Sequence, residues 1–161
     1  MASQEHADLV ALGAKWLKKQ GFGVVATELN AVGCREQADV IGFRSSCSAI
    51  LEVKVSRSDF LADALKPERS GATPGIGLYR FYLCPPDLIQ PGDLPPRWGL
   101  LHGAGRKVIE VVRPTGNIWP RHGHPQESWD TFQHVCDMEA ERSVLYSIAR
   151  RLTLGETICE V

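Results

Sequence analysis

Three charged side chains interrupt two otherwise apolar runs. Asp39 stands in Gln37-Ala38-Asp39-Val40-Ile41-Gly42-Phe43, and Glu52 and Lys54 stand in Ala49-Ile50-Leu51-Glu52-Val53-Lys54-Val55. Charges inside strand-like apolar runs are costly unless something pairs them, so three of them on adjacent runs point to a site. Hydrolysis of a phosphodiester is one chemistry that would use them. It needs a nucleophilic water, stabilisation of charge on the phosphoryl oxygens and help for the leaving oxygen. Hard divalent cations such as Mg²⁺ or Mn²⁺ supply much of this and prefer carboxylate and carbonyl oxygens. Asp39 and Glu52 offer two such oxygens, and the backbone carbonyl of Val53 offers a third. Lys54 follows Glu52 by two residues, so its side chain leaves the same strand face. There it can orient the attacking water and neutralise charge in the transition state. The competing reading is a plain cross-strand ion pair, Lys54 with Asp39 or with Glu52, worth little net.

The elements that must position these residues can be read from pattern and punctuation. The first helix is predicted over residues 4–20, with Leu9, Leu12, Ala14, Trp16 and Leu17 on one face and Ser3 as N-cap. Val24–Leu29 is a β-branched first strand, Ala38–Phe43 a second, and Ala49–Val55 a third that is apolar enough to be buried on both faces. Short connections between these three favour an antiparallel meander. Ser56 caps a second helix, Arg57–Leu65, whose Phe60, Leu61, Ala64 and Leu65 would face the sheet until Pro67 stops it. Residues 67–77 read as a polar loop, Tyr79–Cys84 as a fourth strand, Trp98–His102 as a fifth and Lys107–Val112 as a sixth. A last helix is expected from about Glu127 or Trp129 to Leu152, with Val144, Leu145, Ile148 and Leu152 on its apolar side. The sum is an α/β domain on a mixed sheet. It is a single domain over 1–161, with 115–161 an irregular segment plus a C-terminal helix appended to the core.

Here the sequence resembles a family. Asp39, twelve intervening residues, then Glu52-Val53-Lys54, in the element order αβββαβ, is similar to the PD-(D/E)xK nuclease superfamily. The run continues as Val55-Ser56-Arg57-Ser58-Asp59-Phe60, then Asp63 and Lys66, then Tyr79-Arg80-Phe81-Tyr82-Leu83. That extension resembles the MmcB-type group of DNA-repair nucleases over roughly residues 5–113. The resemblance implies a restriction-endonuclease-like core flanked by helices, metal ligation by Asp39 and Glu52, a catalytic role for Lys54, and DNA as substrate. It also implies a further acid from the first helix or first strand, for which Glu5 and Glu28 are the candidates. The sequence departs from the pattern at Ala38, where Pro often stands, at Pro67-Glu68-Arg69-Ser70, which interrupts a helix, and after Pro114, where nothing corresponds.

Other residues carry paired readings. Glu5 can instead complement a helix dipole, and Glu28 can lie in solvent. Gln37, two residues before Asp39, can hydrogen-bond a metal-bound water or stand idle at the site's edge. Arg57, Lys66, Arg69 and Arg80 can contact the nucleic-acid backbone, or form a solvated helix face with Asp63 and Lys66 paired at i,i+3. Trp98, Trp119 and Trp129 can stack on bases but suit a core better. His122, His124, His134 and Cys136 are zinc-capable side chains without compact four-ligand spacing.

The totals set outer bounds. Hydrophobic residues make up 43% and charged ones 23%, with a net charge of −1, which argues against a wholly electrostatic, histone-like binder. Five scattered cysteines with no C-x-x-C argue against a disulfide framework. No apolar run approaches the roughly 20 residues of a membrane span, and the first residues lack signal-peptide features, so a cytoplasmic protein is expected. The leading expectation is a Mg²⁺- or Mn²⁺-dependent DNA nuclease. The alternative is a catalytically inactive nuclease-like fold that binds nucleic acid or a protein as a regulator. The last helix also offers a seam for a homodimer.

Overall fold

The computed structural model describes residues 3–116, 119–120 and 127–159. Six strands form one mixed sheet in the order β1-β2-β3-β4-β5-β6: β1 (Val24–Thr27), β2 (Val40–Phe43), β3 (Ser48–Val53), β4 (Tyr79–Cys84), β5 (Trp98–Ala104) and β6 (Lys107–Val112). The first three are antiparallel neighbours, as expected. β3, β4 and β5 run parallel, and β6 returns antiparallel. The crossover from β3 to parallel β4 carries helix α2 (Arg57–Asp63) and the single turn α3 (Pro67–Ser70). Helix α1 (Gln4–Lys19) precedes the sheet, while the turn α4 (Glu127–Asp130) and helix α5 (Met138–Thr153) follow it.

Strand alternation divides the core in two. Leu51, Val53, Phe81 and Leu83 point to the face covered by Leu9, Val10, Ala14 and Leu17 of α1, which Trp119 and Trp129 complete. Ile50, Tyr82 and Leu100 point to the opposite face, against Phe60 of α2 and Ala140, Val144 and Ile148 of α5. Glu52 has the parity of Ile50, so it and Lys54 belong to the α2 side. α1 is capped as expected, Ser3 Oγ accepting the His6 N–H at 3.2 Å. That cap places His6 in the first turn, above the start of β2.

Several expectations are corrected. α2 does start at Ser56, but it ends at Asp63, and its inward face differs from the apolar reading. Phe60 and Asp63 are buried, whereas Leu61 is 54% exposed and Leu65 86% exposed. The charged partners around Asp63 hold the helix in that rotation. Pro67 does not begin a loose loop: it opens the turn α3 at N1, where its missing N–H costs nothing. The last helix is two pieces, because Asp137 caps α5 through the Ala140 N–H at 2.9 Å. On α5 Val144 and Ile148 are buried while Leu145 and Leu152 face solvent. Trp98, Trp119 and Trp129 are all buried, so they are core residues and not base-stacking platforms. The segment holding His122 and His124 lies outside the described residues. Among the described residues no helix is long and apolar enough to cross a membrane.

Candidate active site

The register of β2 on β3, with Val40 opposite Leu51, brings the residue before β2 to the end of β3. Asp39 is that residue. Its Oδ2 accepts the Val53 N–H at 2.7 Å, so the carboxylate is fixed by backbone. Val53 therefore presents its N–H to Asp39.

Glu52 and Lys54 extend into a buried set of charges between β3 and the α2–α3 crossover. Glu52 is 2% exposed. Its Oε2 lies 3.7 Å from Lys54 Nζ and its Oε1 lies 3.1 Å from Arg69 Nη2. Lys54 Nζ also lies 3.4 Å from Asp63 Oδ1. Asp63 accepts from Arg69 Nε at 2.7 Å and from the Tyr82 hydroxyl at 2.7 Å, and pairs with Lys66 Nζ at 2.8 Å. Arg69 Nη1 reaches Glu36 Oε1 at 2.5 Å, and its guanidinium lies over the Trp98 ring at 4.9 Å. Trp98 in turn stacks on Tyr82 at 4.4 Å. Three carboxylates (Glu36, Glu52, Asp63) thus meet three cations (Lys54, Lys66, Arg69) beneath an aromatic lid.

The electrostatics are uneven. Burial pushes the Glu52 carboxyl up to about 7; Arg69 opposes that shift and the nearby charge of Asp39 adds to it. Burial also works against the Asp63 anion, but hydrogen bonds and charge from Arg69, with Lys66 and Lys54, outweigh it and hold the group below the usual carboxylate range. Arg69 is held above the ordinary arginine range: burial works against the cation, and its bonds to Asp63 and the charges of Glu52 and Asp63 more than offset that. Glu52 Oε1 is buried without a hydrogen-bond partner, since Arg69 approaches it outside hydrogen-bond geometry.

The second half of Asp39 faces the other way. Its Oδ1 lies 3.4 Å from His6 Nε2, and His6 Nδ1 lies 3.8 Å from Glu28 Oε1. Ligand atoms of His6, Glu28 and Asp39 all fall within 4.8 Å of one another. Glu28 stands at φ 47°, a left-handed conformation uncommon outside glycine, just past the end of β1. Its N–H donates to the Asp39 carbonyl at 3.0 Å, and Gln37 Nε2 donates to its carbonyl at 2.7 Å. Gln37 therefore braces Glu28.

Of the remaining candidates, Glu5 is exposed and borders a surface cleft with Asp8, Leu12 and Pro85, apart from this group. Arg57 is bound bidentately to Asp93 at 2.5 and 2.6 Å and donates to the Leu88 carbonyl. Lys66 is half-exposed and pairs with Asp63 at i,i+3. Arg69 does not face nucleic acid as expected. Its side chain is 1% exposed and saturated by acids, so it cannot reach a phosphate. Arg80 is likewise buried, with the carbonyls of Gly77 and Glu68 as its acceptors.

Sequence reasoning missed His6 and Glu36 as site residues. His6 had one legible signal, a position in the first turn of a capped helix. Glu36 had none, because its partner Arg69 is 33 residues away.

No protein-family model matches the chain, and no curated protein matches it. Among solved structures, a protein of unknown function from Silicibacter pomeroyi is similar, with a TM-score of 0.60 and 23% identity over 99% of this chain and 100% of that one. At that identity the likeness shows a shared fold.

Proposed function

We propose that the protein is a divalent-metal-dependent nuclease that hydrolyses DNA phosphodiester bonds. One observation carries this reading: a backbone-fixed carboxylate, Asp39, stands at the strand end where buried Glu52 and Lys54 converge. The orphaned Glu52 Oε1 and the Asp39 Oδ1 not taken up by the Val53 N–H suit a cation with oxygen-preferring chemistry. Asp39 and Glu52 would hold Mg²⁺ or Mn²⁺, which supplies Lewis-acid stabilisation of phosphoryl oxygens. The chain's own residues do the rest. The Val53 N–H orients Asp39. Asp63 and Glu52 position the Lys54 ammonium, which can donate to a phosphoryl oxygen or hold a water. Lys66, half-exposed at the rim, can meet the DNA backbone.

A second reading has its own support. Apart from Glu52 Oε1, the three acids and three cations pair with one another, as a purely structural network would. On that reading the fold binds nucleic acid or a protein partner without cutting.

The test uses plasmid, linear duplex and single strands with Mg²⁺, Mn²⁺ or EDTA. Metal-dependent cleavage lost in Asp39→Asn and Lys54→Ala is the expected result. Cleavage of no substrate, or equal cleavage by Lys54→Ala, would sink the nuclease. Duplex binding that persists in EDTA without cleavage in any metal supports the second reading.

A further inference from the structure

We propose that His6, Glu28 and Asp39 bind one first-row divalent transition-metal ion, and that this site holds Mn²⁺ more tightly than Mg²⁺. The inference changes the ligand set from Asp39 with Glu52 to Asp39 with His6 and Glu28. Its use in cleavage rests on the nuclease reading; its existence does not.

Four observations converge on it. First, the spacing suits a cation better than a hydrogen bond. Donor atoms about 2.0–2.2 Å from a metal sit about 3.0–3.5 Å apart in octahedral to tetrahedral sites. His6 Nε2 and Asp39 Oδ1 are 3.4 Å apart. Second, the residues that carry the donors are anchored through backbone. Asp39 Oδ2 is fixed by the Val53 N–H, Glu28 is braced at both its N–H and its carbonyl, and His6 sits on a capped helical turn. Third, His6 Nδ1 is buried and has no hydrogen-bond partner, with Glu28 Oε1 at 3.8 Å as the acceptor it faces. No hydrogen bond at Nδ1 therefore commits the ring to one tautomer, and the imidazole can turn a nitrogen to an ion shared with the two carboxylates. Fourth, the local charge favours this side of Asp39. Among the described residues, ion pairs of Glu28 and Asp39 are formed with His6 alone, whereas Glu52 already has Arg69 and Lys54 beside it. A cation next to Glu52 would meet two like charges. One next to Glu28 and Asp39 meets two carboxylates with no Lys or Arg among their ion-pair partners in the described residues.

The donor set decides the metal. Two carboxylates serve Mg²⁺ and Mn²⁺ alike, but an imidazole nitrogen suits later first-row ions and gives Mg²⁺ little. Glu28, half-exposed, can swing to complete the shell.

The experiment is Mn²⁺ titration of the EDTA-stripped full chain, followed by electron paramagnetic resonance and calorimetry, with Mg²⁺ competition. The expected result is one Mn²⁺ per chain, displaced only by about tenfold or more excess Mg²⁺, with nitrogen coupling in the pulsed spectrum. His6→Ala and Glu28→Gln should each weaken Mn²⁺ about tenfold or more. His6→Ala should also erase the nitrogen coupling, while Glu52→Gln should change affinity by less than about threefold. Circular dichroism confirms that each variant is folded, and either of the first two alone tests the site. Mn²⁺ binding abolished by Glu52→Gln but untouched by His6→Ala overturns this proposal and leaves the nuclease reading standing. Mn²⁺ binding through His6 with no cleavage of any substrate does the reverse. No Mn²⁺ binding at millimolar concentration overturns the site.

Discussion

Replacing Glu52 by Gln should change stability in a way that depends on pH and on almost nothing else. The carboxyl has its proton affinity raised from 4.5 to about 7 by burial, partly offset by Arg69. A folded-state value above the unfolded one means the folded protein prefers the protonated acid. The contribution is fully present below about pH 4.5 and is lost as pH rises through about 7. Each tenfold in proton affinity is worth about 1.4 kcal/mol, so the full cost of ionising Glu52 in the fold is about 3 kcal/mol. Near pH 5 the unfolded chain has already ionised enough to forfeit about 1 kcal/mol of it. The remaining loss, about 2 kcal/mol, falls between pH 5 and pH 8. The glutamine amide cannot ionise, and it keeps the side chain's volume.

Urea unfolding of both proteins at pH 5, 6, 7 and 8, in metal-free buffer, measures the difference. Subtraction matters because other groups titrate nearby. Burial holds the His134 imidazole down to about 4, so its contribution to stability is fully present above about 6.5 and is lost as pH falls from there through about 4. Asp63, held below the usual carboxylate range, contributes stability that is lost only in more acidic solution. Both cancel between the two proteins. The stability of Glu52→Gln minus that of the parent should rise by about 2 kcal/mol from pH 5 to pH 8. A flat difference would refute the reasoning, by showing that Arg69 and Lys54 compensate the buried anion completely.

Three further outcomes can be checked by ordinary means. Arg69→Met removes the shared partner of Asp63, Glu36 and Glu52 and leaves buried carboxylates uncompensated; a loss of about 3–5 kcal/mol is expected by denaturant unfolding, and a loss under about 1 kcal/mol would mean the network is solvated. Gly99→Ala drives a Cβ into the Phe81 ring and the Val112 carbonyl, so a loss of about 1–3 kcal/mol in the same assay is expected, and a neutral result would show that β5 shifts freely against β4. On the nuclease reading, Lys66→Ala should weaken duplex binding and make the slope of log affinity against log salt shallower by about one; an unchanged slope removes Lys66 from the DNA interface.

How far the sequence reaches follows from where each signal is stored. β4 and β6 were legible to the residue because Pro85 and Pro114 bound apolar runs that pair along their length. β1 ends earlier than its β-branched composition suggests, since Glu28 leaves extended conformation at φ 47°. α2 was legible as a helix, yet its buried face was not. Hydropathy assigns Leu61 and Leu65 inward and Asp63 outward, and the reverse holds. A buried Asp is tolerated only by partners, and those partners, Arg69, Lys54, Lys66 and Tyr82, come from other elements. Asp39, Glu52 and Lys54 were legible because charge inside apolar strands is anomalous locally. His6 and Glu36 are anomalous only in three dimensions.

The buried charges also bear on how the two halves of the site could cooperate. With Glu52 ionised, three carboxylates balance three cations. With Glu52 protonated, Glu36 and Asp63 remain against Lys54, Lys66 and Arg69, and one positive charge is in surplus. Arg69 is sealed and satisfied by Asp63 and Glu36, so the surplus falls on the two lysines that share Asp63 with it. Lys54 is the one beside Asp39's strand end, where the proposed metal-binding group begins. A phosphodiester entering there would supply the missing anion to Lys54 while its other oxygens face the carboxylates' cation. If the metal is held by His6, Glu28 and Asp39 and Glu52 is no ligand, the raised proton affinity of Glu52 would free Lys54 for the substrate. Glu52→Gln should preserve phosphate affinity at pH 8 even where it lowers cleavage.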